Sequence, residues 1–94
     1  MKALFISFNQ AYSDEITDLL ARHGQRGFTR WDEVAGRGST DGEPHFGNHA
    51  WPVMNIAVLA FVPSDSASAI IADLHTLDAA SPELGLRVFS WDAE

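Results

Sequence analysis

Short apolar runs and helically spaced apolar stripes alternate along the 94-residue chain. Residues 3–8 (ALFISF) form the first run, closed by Asn9 and Gln10, and predict a strand. Ser13 or Asp14 then suits a helix cap, and Ile16, Leu19, Leu20 and His23 follow at helical spacing. Gly24 is the expected stop, because glycine enters the left-handed conformation of a helix end at little steric cost. Residues 28–34 (FTRWDEV), aromatic and β-branched, predict a second strand, and 53–62 (VMNIAVLAFV) give the strongest strand signal. Pro63 ends that strand and Ser64 caps a second helix, whose stripe is Ala67, Ile70, Ile71, Leu74 and Leu77. Ser81 and Pro82 make a turn, and 86–91 make the last strand.

The order β-α-β-loop-β-α-β matches a ferredoxin-like βαββαβ sandwich: an α+β domain of one four-stranded antiparallel sheet and two helices, spanning residues 1–94. Two helices cover one face of such a sheet, yet the strands are apolar on both. On the third strand Met54, Ile56, Val58, Ala60 and Val62 oppose Val53, Asn55, Ala57, Leu59 and Phe61. A sheet with one wet face alternates apolar and polar residues. Its absence here predicts that the second face meets other apolar surface. A second copy of the chain is the preferred cover, and the chain's own long loop and termini are the alternative.

Charge and composition narrow the function classes. Six basic residues against thirteen acidic ones give a formal charge of −7, which argues against a nucleic-acid binder. The absence of cysteine excludes a disulfide scaffold, a thiolate metal site and a cysteine nucleophile. The amino-terminal apolar run is shorter than a signal-peptide core, and no run approaches a membrane span, so a cytoplasmic protein without membrane insertion is expected.

The segment 35–50 (AGRGSTDGEPHFGNHA) has four glycines, a proline and no apolar period, and reads as a long loop or irregular hairpin. Asp41, Glu43, His45 and His49 fall within nine residues of it. Imidazole and carboxylate are ligands for zinc, copper or nickel, so the loop is a candidate divalent transition-metal site. Two solvated loop histidines are the plainer alternative. No nucleophile or acid–base pair is positioned by any recognisable motif, and an enzyme is not expected. Trp31, Trp51 and Trp91 read as core or interface anchors, and His23 and His75 as structural helix residues.

Several blocks are similar to a small PII-like group of the PII nitrogen-regulator superfamily. They are Gly27-Phe28-Thr29-Arg30-Trp31, then 34–39 (VAGRGS), then Gly47 with 51–55 (WPVMN), and the ending 86–92 (LRVFSWD). The resemblance covers essentially the whole chain. It implies a homotrimer with the sheets facing inward, effectors in clefts between subunits, and a signalling T-loop at 35–50. Arg37, Ser39, Thr40, Phe46 and Asn48 would then be effector or partner contacts of that loop. The target would be a protein such as a membrane transporter, since some PII-like groups accompany heavy-metal efflux systems.

One departure bears on the effector. Nucleotide-binding members carry a glycine- and lysine-containing phosphate loop after the third strand, where this chain reads Val62-Pro63-Ser64-Asp65-Ser66. The only tyrosine, Tyr12, lies outside the loop. The sequence thus supports a trimeric regulator whose loop answers an effector, a transition metal by the loop's own residues. A nucleotide-responsive nitrogen-regulatory protein is the alternative.

Overall fold

The computed structural model describes residues 1–37, 43–47 and 53–94. Its elements are β1 (Lys2–Asn9), α1 (Ser13–Arg22), β2 (Thr29–Val34), β3 (Asn55–Val62), α2 (Ser64–Ala80) and β4 (Arg87–Asp92). The strands form one antiparallel sheet in the order β2-β3-β1-β4, the ferredoxin-like arrangement expected from the sequence. No helix is long and apolar enough to cross a membrane.

The period-two pattern decides which face each residue meets. Leu4, Ile6 and Phe8 of β1 lie with Ile56, Val58, Ala60 and Val62 of β3 against the helices, all nearly inaccessible. Ile16, Leu19 and Leu20 of α1 and Ala67, Ile70 and Leu74 of α2 close that core, with Leu84 and Leu86 at its end. Each large apolar side chain buried this fully contributes about 1.5–3 kcal/mol of transfer free energy.

Local chemistry sets the helix ends. A 3-10 turn, Gln10–Tyr12, precedes α1, with the Asn9 side chain accepting from the Ala11 amide. Tyr12 therefore occupies the cap position without a side-chain bond, and Ser13, an expected cap, is the first helical residue. Asp14 and Glu15 in the first turn and Arg22 in the last complement the helix dipole. Gly24 ends the helix at φ 75°, where its amide donates to Ala21 and that of Gln25 to Leu20, both at 2.9 Å. His23 Nε2 meets Asp73 Oδ2 at 2.6 Å and ties α1 to α2.

The β2–β3 ladder carries an irregularity. Trp31 pairs with Ala57 and Val34 with Asn55, so one extra residue sits in β2, next to Glu33 at φ 58°. The bulge returns Val34 to the face that Trp31 occupies.

Candidate assembly face and loop stem

The helix-free face follows from the register. Trp31 lies beside Ala57, and Thr29 beside Leu59, on β2 and β3. Phe5 lies between Leu59 and Phe89, and Ala3 between Phe61 and Trp91, across β3, β1 and β4. Trp31, Phe61, Phe89 and Trp91 are 46%, 51%, 55% and 48% exposed. The described residues thus leave a wide aromatic face uncovered, and Trp31 and Trp91 stand on it instead of in the core. Trp51 lies outside the described residues. A hollow of about 450 Å³ sits on this face, walled by Phe5, Trp31, Val34 and Ala35 over Ser7 and Ala57. A smaller one, about 230 Å³, lies at the rim beside Gln25, Gly27, Phe28, Thr29, Leu59 and Phe61.

At one end of the sheet the segment 43–47 is paired back onto its neighbours. The Gly36 and His45 amides donate to each other's carbonyls at 2.8 and 2.7 Å. The Gly47 amide donates to the Val53 carbonyl at 3.0 Å, and Phe46 pairs with Met54. The His45 side chain turns inward, 6% exposed, and its Nδ1 lies 2.6 Å from Asn55 Oδ1. Asn55, itself 3% exposed, donates from Nδ2 to Ser7 Oγ at 3.4 Å. Two glycines make room for this cluster. A Cβ on Gly36 would stand 2.8 Å from Asn55 Nδ2, and one on Gly85, at φ 60°, would stand 3.1 Å from His45 Cε1.

The residues expected to line the loop are distributed unevenly. Arg37 is exposed with its guanidinium 5.9 Å from the ring centroid of Phe46, also exposed. Glu43 is exposed, whereas His45 is enclosed. Ser39, Thr40, Asp41, Asn48 and His49 lie outside the described residues. Among the described residues no group of three His, Asp or Glu side chains is placed to hold a metal ion. Sequence reasoning missed the enclosure of His45. The available signals were Asn55, a polar residue inside an apolar strand, and glycines at 36 and 85.

Charge elsewhere is paired across the sheet edge and between helices. Lys2 Nζ lies 2.7 Å from Asp92 Oδ1, and this hydrogen bond, then the charge behind it, holds the Asp92 carboxyl below its ordinary value. Asp65 stands in the first turn of α2, where it opposes any anion drawn to that helix end.

No family model matches the chain, and no curated protein matches it. Solved structures do. CPII, a nitrogen regulatory PII-like protein from Thiomonas intermedia K12, bound to ADP, AMP and bicarbonate, matches with a TM-score of 0.79 and 24% identity. The match covers 98% of this chain and 84% of that one. The same protein bound to ADP and bicarbonate matches over the same shares at 0.77 and 26%. A Thermus thermophilus protein provisionally described as PII-like signalling matches at 0.67 and 18%, over 96% of this chain and 83% of that one. These matches run along nearly the whole chain, and the chain has the fold of the PII-like signalling proteins.

Proposed function

We propose that residues 1–94 form one regulatory domain that assembles through its helix-free sheet face into a homotrimer and signals through the 35–50 loop in answer to an adenine nucleotide. The observation that carries this reading is the fold correspondence over 98% of the chain with a nitrogen regulatory PII-like protein bound to ADP and bicarbonate. The exposed aromatic face supports the assembly, since an apolar patch of this kind marks an interaction surface. The hollow at the rim supports the ligand class. Phe28 and Phe61, 38% and 51% exposed, offer flat apolar surface to a purine at the edge of the assembly face, where a neighbouring subunit can complete the cleft.

The loop's target is a protein, and a membrane transporter is the kind of target the resemblance implies. A transition metal at the loop is the weaker effector reading. His45 Nδ1 is engaged by Asn55, and the other loop ligands that a metal would need include Asp41 and His49, outside the described residues. Calorimetric titration with ADP, AMP and bicarbonate, and in parallel with Zn²⁺, Cu²⁺ and Ni²⁺, tests the choice. The account predicts saturable heat with ADP or AMP. Heat from a metal ion alone would overturn the nucleotide assignment and restore the metal reading.

A further inference from the structure

We propose that His45 is a releasable latch, a buried imidazole that seats the segment 43–47 against Asn55 and Gly85 and whose departure frees that segment as a unit. The proposal rests on the 35–50 loop being the signalling element, and deepens that reading by naming what holds its stem.

The choice of residue is the first argument. At 6% exposure an apolar side chain would be the ordinary occupant. Histidine at this depth must be hydrogen-bonded, and Asn55 Oδ1 at 2.6 Å supplies the partner. Such a pair fixes one geometry, and a side chain that fills the seat without bonding Asn55 leaves that buried amide unpaired. When His45 leaves, water can bond both the imidazole and the Asn55 amide, so release forfeits a net hydrogen bond instead of exposing apolar surface.

Backbone pairing is the second argument. Among the described residues the segment 43–47 is held to its neighbours by the two bonds exchanged between Gly36 and His45, the bond from Gly47 to Val53 and the bridge of Phe46 to Met54. By contrast β1 is paired along its length to both β3 and β4. A short segment paired through isolated bridges opens at lower free energy than the continuous ladder it leans on. The seat itself is shaped for a ring, because glycines at 36 and 85 leave the space that Cβ atoms would fill.

The seat also touches the assembly face. Ser7 accepts from Asn55 and lines the hollow beneath Trp31. A departing His45 therefore changes the hydrogen-bonding of Asn55 beside a hollow that belongs to the assembly face. A partner that grips the segment 43–47 draws His45 from its seat, and a loop with His45 seated withholds that segment. The ligand or partner need only prefer one of the two arrangements to shift their populations.

Amide hydrogen exchange on the full chain tests the latch without any ligand, so its failure is separable from failure of the nucleotide reading. In the wild-type protein the Gly36, His45 and Gly47 amides should exchange at a common rate, at least about tenfold faster than the paired amides of β1. His45→Phe keeps a ring but loses the bond to Asn55, and should speed those three amides about three- to tenfold while leaving β1 unchanged. Gly85→Ala, which crowds the imidazole at Cε1 and strains a backbone held at φ 60°, should give the same pattern. Exchange of the three amides in step with β1 in the wild-type protein would overturn the proposal. So would an unchanged rate in both variants, or an equal acceleration of the whole sheet.

Discussion

Asn9 and Asn55 face each other at the end of the β1–β3 ladder, two polar side chains among strand residues whose other buried members are apolar. Each amide holds a different connection in place. Asn9 donates to the Glu83 carbonyl at 3.0 Å and accepts from the Ala11 amide at 2.9 Å, fixing the turn before β4 and the entry to α1. Asn55 receives His45 and fixes the stem of the loop. Buried amides of this kind contribute little net free energy when satisfied but are costly to leave unpaired.

Asn9→Ala should therefore destabilise the protein by about 1–3 kcal/mol, because the Glu83 carbonyl and the Ala11 amide lose their partner in a part-buried place. Urea unfolding at fixed protein concentration measures it. A change within error would mean that water replaces the side chain without penalty.

The two faces of β3 predict opposite outcomes for one kind of substitution. Val58→Glu puts a carboxylate among Ile6, Ile16 and Ile70 of the core and should abolish the folded circular dichroism spectrum. Phe61→Glu lies on the open face, half exposed, and should keep the spectrum while weakening assembly. Folded, fully assembled Phe61→Glu protein would remove Phe61 from the interface.

Both helices were legible in the sequence from the period of their apolar residues, and the strands from short apolar runs or, for β2, from aromatic and β-branched residue types. Ile16, Leu19 and Leu20 mark one stripe and Ala67, Ile70 and Leu74 the other, and these are the residues the helices bury. The strand faces were legible for the same reason, down to apolar residues on the side without helices. What stayed hidden depends on tertiary pairing. The extra residue in β2 beside Glu33 leaves no mark in residue type, since a bulge is defined by the partner strand. His45 reads as a solvated loop residue or ligand in isolation, and its enclosure follows from the pairing of Gly36 with His45, a contact across the loop. Asp41 and His49, the other half of the expected ligand set, lie outside the described residues.

Phe28→Ala should weaken ADP binding about tenfold, the loss expected when a stacked aromatic surface is removed from a purine. Its side chain is 38% exposed at the rim hollow, and the subunit should stay folded and assembled. Unaltered ADP affinity would place the nucleotide elsewhere.

Lys2 and Asp92 give a pH signature. Asp92 is held below its ordinary value of 3.8 by the hydrogen bond and charge of Lys2. A lowered folded pKa contributes stability that is present above the unfolded carboxyl value and lost as pH falls through the folded one. Asp92 is largely solvated and the pair lies at the surface, so the contribution to stability is small. The carboxyl carbon of Asp92, followed by NMR, should titrate below ordinary aspartates, and in Lys2→Met it should return towards them. Identical titration in the two proteins would deny the pair in solution.

Assembly through the aromatic face is the claim on which the regulatory reading depends. Sedimentation equilibrium of the wild-type chain at micromolar concentration measures it most directly. The account predicts a species of three times the 10.3 kDa chain mass. A stable species of one chain mass across that range, with Trp31, Phe61, Phe89 and Trp91 left in water, would contradict it.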